Sequence, residues 1–249
     1  MTASWLTPDW PAPPEVRAVV VTRGGPESTQ DSPYGFNVGT RCGDAPSAVA
    51  ANRAFLRDAL ALPSEPRWLR QVHGTQVALF GAAPCAESVA DAAVTRARGV
   101  VLAIQTADCM PVLFCADDGS EIAAAHAGWR GLSAGVLEAT MVAMHTPREN
   151  ILAWLGPAIA AKSYEVGDEV REAFLAHDPS STSAFADTRP GHWLCDLYEL
   201  ARQRLHTAGV MQISGGGLDT FTDTRLHSYR RDGAHSGRMV SLVWISPAR

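Results

Sequence analysis

Residues 109–128, CMPVLFCADDGSEIAAAHAG, carry the clearest structural signal in the chain. Two largely apolar runs, 111–116 and 121–126, flank an Asp-Asp-Gly sequence, and an Asp-Gly pair between such runs is typical of a β-hairpin. If Asp118 and Gly119 form the loop, strand pairing places His126 opposite Pro111. Cys109 precedes Pro111 by two residues, so the sequence predicts that Cys109 and His126 project from the same face.

Strands and helices alternate on both sides of this hairpin. β-branched or apolar runs predict further strands at 16–22, 67–79, 100–105, 151–155 and 238–245. Apolar stripes and capping signals predict helices at about 47–60, 128–145, 168–177 and 197–208. The predicted fold class is α/β (α+β), a single compact domain with mixed β-sheets and interleaved and flanking helices. Residues 1–15 are predicted to form an extended N-terminal arm, and residues 16–249 the catalytic domain.

Composition excludes several classes of protein. The 249 residues are 46% hydrophobic and 19% charged with a net charge of −5, a balance typical of folded domains. Because there is no basic cluster, a nucleic-acid partner or a membrane surface is not expected. The five cysteines are scattered without a C-x-x-C pair, which favours a reducing compartment. With no signal-peptide pattern and no long apolar run, we expect a soluble cytoplasmic protein.

The hairpin face suggests a metal site. Diagonal neighbours across an antiparallel pair have Cβ atoms somewhat under ~7–8 Å apart, a gap that a bound metal can bridge. His73, in the separate segment 71–75, is a candidate third ligand for such an ion. Three protein ligands leave a fourth tetrahedral position open, which is the catalytic arrangement of zinc. The alternatives are a buried apolar Cys109, core histidines, or a metal-free hydrolase in which His126 activates Cys109.

A serine nucleophile is a weaker alternative. The stretch 131–135, Gly-Leu-Ser-Ala-Gly, matches the nucleophile-elbow pattern, which requires its serine at a tight turn between a strand and a helix. The glycines at 128 and 131 already make that turn, so we expect Ser133 to lie inside the helix.

Several motifs, in their order along the chain, resemble those of the YfiH-type family, also called laccase-domain or polyphenol-oxidase-like proteins. The resemblance extends from about residue 19 to residue 244. The segments that carry it are Gln71-Val72-His73-Gly74, Ala107-Asp108-Cys109-Met110-Pro111-Val112, Ala124-Ala125-His126-Ala127-Gly128-Trp129-Arg130-Gly131 and Ser228-Tyr229-Arg230-Arg231-Asp232-Gly233.

The resemblance implies one α/β domain that holds Zn²⁺ through His73, Cys109 and His126. It implies purine nucleoside phosphorolysis of adenosine, inosine, guanosine and methylthioadenosine, with adenosine deaminase activity at the same site. The alternatives are a Cu²⁺-dependent polyphenol oxidase (laccase) and a metal-free Cys-His hydrolase linked to peptidoglycan precursor editing. The expected partners are a small-molecule nucleoside and phosphate, and no protein partner is predicted.

Phosphorolysis also requires an anion site beside the metal. Exposed N–H groups where a helix begins near residue 128 are one expected element. Arginines supply the other: the candidates for phosphate binding are Arg53, Arg130, Arg230 and Arg231.

Carboxylates are the remaining candidates for a role in the site. Asp108 is expected either to orient a histidine ligand or to cap the turn that follows. Asp108 and Glu165 are candidate general acids or bases for deamination. One position departs from the family pattern, because this chain has Asp219-Thr220 where a Cys-Thr pair is expected.

Overall fold

The computed structural model describes residues 5–24, 32–84 and 86–247, so Cys85 lies outside the described residues. The strands in chain order are β1 (Trp5–Leu6), β2 (Val16–Val21), β3 (Leu69–Arg70), β4 (Val77–Leu79), β5 (Ser88–Val89), β6 (Ala92–Thr95), β7 (Val101–Thr106), β8 (Met110–Ala116), β9 (Ile122–Ala127), β10 (Ile151–Leu155), β11 (Glu165–Gly167), β12 (Phe185–Arg189), β13 (His192–Cys195), β14 (Gln212–Gly215) and β15 (Met239–Ile245). The helices are α1 (Pro46–Ala59), α2 (Trp129–Ala134), α3 (Val136–Ala143), α4 (Asp168–Leu175), α5 (Leu197–Thr207) and α6 (Tyr229–Asp232).

Two sheets form the centre of the molecule. The larger has the strand order β14-β10-β8-β9-β6-β4, in which β14 pairs parallel with β10, β4 pairs parallel with β6, and the other neighbours are antiparallel. The smaller has the order β1-β2-β15-β7 and is antiparallel throughout. The predicted α/β fold with mixed sheets and flanking helices is confirmed.

Alternating side chains divide the core into layers. Strands β8 and β9 are buried on both faces. On one face, Val112 and Phe114 of β8 share a hydrophobic cluster with residues of α2 to α5, such as Leu137 of α3. Their other face packs against the smaller sheet, where Leu113 meets Leu102 in one cluster. The far face of the smaller sheet is covered by α1. Because both strands of the hairpin are buried, their open end is held rigidly.

The predicted hairpin register is confirmed. Pro111 pairs with His126, and Met110 pairs with Ala127. The connection between β8 and β9 is longer than predicted, because it comprises the five residues 117–121 rather than two. Gly119 has φ +71°, a left-handed conformation that glycine adopts without strain. The longer loop leaves the alternation of side chains unchanged, so the faces are those predicted.

Two other predictions about secondary structure are wrong. Residues 67–79 do not form one strand, because a turn containing His73 separates β3 from β4. The helix predicted over 128–145 is interrupted at Gly135, whose φ of +99° ends α2 and begins α3. The small sheet β11-β13-β12 was not predicted, since its strands are short and only partly buried.

The predicted N-terminal arm lies partly within the described residues. β1 pairs antiparallel with β2 at the edge of the smaller sheet, while residues 1–4 lie outside the described part. The division between residues 1–15 and 16–249 stays a prediction, and residues 25–31 and 248–249 of the predicted domain also lie outside the described part. No helix in the described ranges has both the length and the apolar character needed to cross a bilayer.

Candidate metal centre

Two of the three predicted ligands come from the open end of the β8–β9 hairpin. Cys109 directly precedes β8, and His126 is the penultimate residue of β9. His126 is 3% exposed, Cys109 is half-buried, and His73 is exposed. The pairing of Pro111 with His126 brings the thiol and the imidazole to the same face, as the sequence predicts.

His73 reaches this face from a turn and not from a strand. Its φ of +61° lies in the left-handed region, which residues other than glycine rarely adopt. Asp91 holds this turn, since its carboxylate accepts backbone N–H bonds from Val72 (3.0 Å), His73 (2.9 Å) and Gly74 (2.8 Å). These three bonds fix the backbone from which the His73 side chain projects.

Gln71 secures the other side of the same turn. Its amide donates to the carbonyl of Gln105 at 2.8 Å and accepts from the Gln105 N–H at 2.9 Å. The side chain thus pairs with the edge strand β7 as a neighbouring strand would. The His73 turn is therefore anchored to both sheets.

The three side chains lie close enough to share one ion. Their ligand atoms all fall within 4.8 Å of one another, and Cys109 Sγ lies 3.9 Å from His73 Nε2. Bonds of ~2.3 Å to sulfur and ~2.0 Å to nitrogen separate those atoms by roughly 3.5 Å in a tetrahedral zinc site. The Cys109–His73 separation comes within a few tenths of an ångström of that value, and the 4.8 Å bound on all three atoms leaves the ion within reach of small side-chain movements.

Gly128 has no side chain, and this leaves room for the ligand side chains of Cys109 and His73. A Cβ on this residue would lie 2.7 Å from Cys109 Sγ and 3.3 Å from His73 Cδ2. Its φ of −69° is ordinary, so the requirement for glycine here is steric and not conformational. The small residues around His126 thus allow the three ligand side chains to converge.

Asp91 was not predicted from the sequence, yet it orients His126 as well as the His73 turn. Asp91 Oδ1 lies 2.8 Å from His126 Nδ1, and the Asp91 side chain is fully buried. With Nδ1–H donated to the carboxylate, Nε2 of His126 is left to bind a metal. Burial raises the pKa of Asp91, but the bonds from His126, Gly74 and Val72 outweigh it and lower that pKa.

The local charges favour a thiolate. Burial raises the pKa of the Cys109 thiol, but the charges and hydrogen bonds of His126 and His73 outweigh it and lower the pKa to about 6. Burial lowers the pKa of His126, whereas the Cys109 thiolate and the Asp91 carboxylate raise it to about 9. A thiolate at neutral pH is the form of cysteine that binds metals and attacks electrophiles.

The predicted phosphate-binding arginines differ in how many N–H donors are free. Arg231 uses all five, donating to the Asp232 carboxylate and to the carbonyls of Thr220, Phe221, Asp223 and Leu226. It holds the 220–226 loop and has no donor left for phosphate. Phosphate binding by Arg231 stays a prediction, and one that these engaged donors do not favour.

Arg230 is exposed and keeps most of its donors free. One Nη1 bond goes to the Glu165 carbonyl at 3.0 Å, and the guanidinium lies 5.2 Å from the centre of the Tyr164 ring. Arg130 is exposed on α2 and lies over the Trp129 ring. Because α2 has only six residues, it contributes less to the anion site than the long helix we expected.

Arg53 lies on α1, where its side chain is engaged by neighbouring parts of the fold. Its Nε donates to the Val38 carbonyl at 2.9 Å, and its guanidinium stacks on Trp68 at 3.8 Å from the ring centre. Burial lowers its pKa. A role in phosphate binding for Arg53, Arg130 or Arg230 stays a prediction.

The other candidate residues have structural partners. Asp108 does not orient a histidine, because its carboxylate accepts bonds from the Thr220 hydroxyl and the Arg230 N–H. Glu165 is bound by Arg189 at 2.7 Å. Ser133 lies inside α2, and its hydroxyl donates to the Arg130 carbonyl, so it is not at an elbow.

Asp219 serves as a joint between loops. Its carboxylate accepts the N–H groups of Ala160 and Phe221 and the hydroxyls of Ser163 (2.6 Å) and Thr222 (3.0 Å). A thiol cannot accept four such bonds, so this position is specialised for structure in this chain.

Comparisons with a family model and with named relatives assign the chain to the same family. Residues 17–246 match a family described as multi-copper polyphenol oxidoreductase laccase. The chain is 50% identical to a purine nucleoside phosphorylase of Xylella fastidiosa (strain 9a5c), over 97% of each chain. It is also 50% identical to purine nucleoside phosphorylase YfiH of Escherichia coli (strain K12), over 96% of this chain and 98% of that one.

Solved structures agree with this result. The chain is similar to a crystal structure from Neisseria meningitidis, with a TM-score of 0.92 and 43% identity over 98% of this chain and 99% of that one. It is also similar to YlmD from Geobacillus stearothermophilus, with a TM-score of 0.86 and 29% identity over 94% and 93%.

Proposed function

This chain belongs to the YfiH-type family, described as multi-copper polyphenol oxidoreductase laccase, and we propose that it is a zinc-dependent purine nucleoside phosphorylase. The observation that carries the proposal is the convergence of His73, Cys109 and His126, whose ligand atoms lie within 4.8 Å of one another and range from exposed to buried. The names of relatives at 50% identity support the reaction, since those proteins are named purine nucleoside phosphorylases.

The donor set favours zinc over several coppers. Two imidazoles and one thiolate suit a single zinc with one open position. The same donors also suit a single copper, which stays the alternative cofactor. A multicopper laccase needs several groups of ligands, whereas the described residues contain one group of three that could hold an ion. We therefore favour phosphorolysis over phenol oxidation.

In phosphorolysis a phosphate oxygen bonds to the ribose C1′ while the bond from C1′ to the purine nitrogen breaks, and the purine gains a proton. Bound zinc supplies positive charge that polarises a substrate oxygen. The free N–H donors of Arg230 suit a phosphate oxygen, because charge-assisted bonds from arginine to phosphate are strong and directional. Asp91 keeps both histidines in the orientation that the centre requires.

Adenosine, inosine, guanosine and methylthioadenosine are the proposed substrates. Deamination of adenosine is proposed as a side activity only, because it requires a general acid or base near the ion. Glu165 is occupied by Arg189, and Asp108 is occupied by the two loops that it joins.

One observation favours a second candidate, a metal-free Cys-His hydrolase. A Cys109 pKa of about 6 beside a His126 pKa of about 9 describes a thiolate–imidazolium pair, the activated form of a cysteine nucleophile. Such an enzyme could act in editing peptidoglycan precursors. Metal removal separates the two candidates, because it abolishes phosphorolysis and leaves the hydrolase active.

The test is incubation of metal-analysed protein with adenosine, with and without phosphate, followed by identification of products. We expect adenine and ribose-1-phosphate only when phosphate is present. Inosine would identify deamination, and an active chelated protein would identify the hydrolase. Absence of any purine product with all four nucleosides would refute the proposal.

Matched cysteine variants locate the activity. Cys109→Ser is expected to lose both bound metal and phosphorolysis. Cys42→Ser is the control, since Cys42 is also half-buried and unpaired but belongs to no metal-ligating group among the described residues. Cys42→Ser should keep both properties.

Location and partners follow from the same proposal. We propose a cytoplasmic enzyme, where nucleosides and phosphate are available. All four cysteines in the described ranges are free thiols, which suits a reducing compartment. The proposed partners are a nucleoside and phosphate.

A further inference from the structure

Asp108 is the residue on which three loops meet beside the Cys109 ligand. Its carboxylate accepts the Thr220 hydroxyl at 2.6 Å and the Arg230 N–H at 2.6 Å. Its carbonyl accepts the Ile159 N–H at 3.0 Å. One residue thus joins the loop after β10, the loop after β14 and the start of α6 to the strand end that presents Cys109.

The backbone of Asp108 is itself unusual. Its φ of +77° lies in the left-handed region, which aspartate tolerates better than most side chains but still adopts rarely. This conformation persists because the three loop contacts define it. An outlier held by surrounding contacts, directly beside a proposed ligand, points to a functional role.

The contacts of Asp108 determine the position of Arg230. Its backbone N–H is bound by Asp108, and its guanidinium is steadied from the other side by the Tyr164 ring and the Glu165 carbonyl. Arg231, the next residue, divides its donors between the carbonyls of the 220–226 loop and the Asp232 carboxylate. The Arg230 side chain is therefore placed by a framework while its remaining donors face solvent.

We propose that Asp108 is a positioning residue that sets the distance between Arg230 and the Cys109 ligand, and thereby the affinity for the anionic co-substrate, inorganic phosphate. This inference rests on the proposed function and deepens it. Asp108 acts through Arg230 and does not itself touch phosphate, since both carboxylate oxygens are already bonded and a carboxylate repels an anion. Because Asp108 directly precedes Cys109 and binds the Arg230 backbone N–H at 2.6 Å, it links the start of α6 to the strand end that carries this ligand.

The test is a double-mutant cycle on phosphate affinity. Inorganic phosphate is titrated calorimetrically into wild type, Asp108→Ala, Arg230→Ala and the double variant, with metal content measured for each protein. Arg230→Ala is expected to weaken phosphate binding roughly 10- to 100-fold, the usual effect of removing a charge-assisted bond. Asp108→Ala should weaken it by a large part of that factor, and the double variant should resemble Arg230→Ala alone.

Further measurements separate positioning from general damage. Asp108→Ala should raise the KM for phosphate more than the KM for nucleoside and should keep its metal. Asp108→Asn should restore most of the affinity, because an amide can accept from the Arg230 N–H and donate to the Thr220 hydroxyl. Asp178→Ala is the matched control, since Asp178 also accepts a backbone N–H bond in a turn, at the start of 179–184.

The outcomes distinguish this inference from the proposed function. A wild-type protein that does not bind phosphate and does not phosphorolyse nucleosides refutes both. Wild-type phosphate binding that is unchanged in Asp108→Ala, or effects of Asp108 and Arg230 that add in full, refutes the positioning role alone. If Asp108→Ala loses metal but keeps its phosphate affinity, Asp108 serves Cys109 and the inference is wrong.

Discussion

Asp91 offers the sharpest test of the candidate metal centre. One oxygen of its carboxylate faces His126 Nδ1 (2.8 Å) and the His73 N–H (2.9 Å), and the other faces the N–H groups of Val72 (3.0 Å) and Gly74 (2.8 Å). Asp91→Asn replaces one acceptor oxygen by an NH₂ group. In either orientation of the amide, two N–H donors lose their acceptor and meet another donor.

The main expected effect of Asp91→Asn is a lower affinity for the metal. Loss of a carboxylate that orients a histidine ligand typically weakens metal binding by roughly 10- to 100-fold, which is about 1.4–2.7 kcal/mol. Asp91 bonds both to the His126 imidazole and to the backbone of the His73 turn, so we expect the upper end of that range. The assay is competition with a chromophoric chelator of known zinc affinity, at a pH where both proteins are folded.

Glu121 provides a matched control. It is also a buried carboxylate beside a histidine: it accepts backbone N–H bonds from His145 and Thr146 and lies 3.4 Å from His145 Nδ1. Glu121→Gln should lower the melting temperature but leave zinc affinity at the wild-type value. A folded Asp91→Asn variant that binds zinc as tightly as wild type would show that Asp91 does not control the orientation of the ligands.

Three further predictions concern single residues. Gly128→Ala should reduce the metal content well below one ion per chain, because the new Cβ would lie 2.7 Å from Cys109 Sγ. Gly81→Ala is the control, since a Cβ at Gly81 would meet open space. A Gly128→Ala variant that binds one metal ion per chain would contradict this geometry. In metal-stripped protein the Cys109 pKa is lowered to about 6, so alkylation of Cys109 by iodoacetamide should reach half its maximal rate near pH 6. A midpoint above pH 8 would contradict the ion pair between the Cys109 thiolate and His126. Arg231→Gln should lower the free energy of unfolding by about 2–3 kcal/mol, because charge-assisted bonds are lost. The Kd for phosphate should stay close to the wild-type value. A large rise in that Kd at unchanged stability would show that Arg231 binds phosphate.

Much of the local structure follows from sequence alone, for a physical reason. The period of two along a strand and the Asp-Gly signal determined the hairpin register, so Pro111 opposite His126 was predictable within a few residues of chain. The same alternation placed Cys109 and His126 on one face. Short loops and capping residues likewise located the helices at 46–59, 168–175 and 197–207 to within two residues.

Only the tertiary structure showed what supports the site. Asp91 lies 35 residues before His126, in a short strand-like segment with no motif of its own, and its partners are mostly backbone N–H groups that carry no sequence signal. The sequence does not distinguish the two neighbouring arginines, yet Arg231 donates to loop carbonyls and to the Asp232 carboxylate with its whole guanidinium, whereas the Arg230 guanidinium makes one such bond, to the Glu165 carbonyl. Periodicity reports which face a side chain occupies; it does not report which distant backbone that face meets, because that depends on how the two sheets and the turns between them pack together.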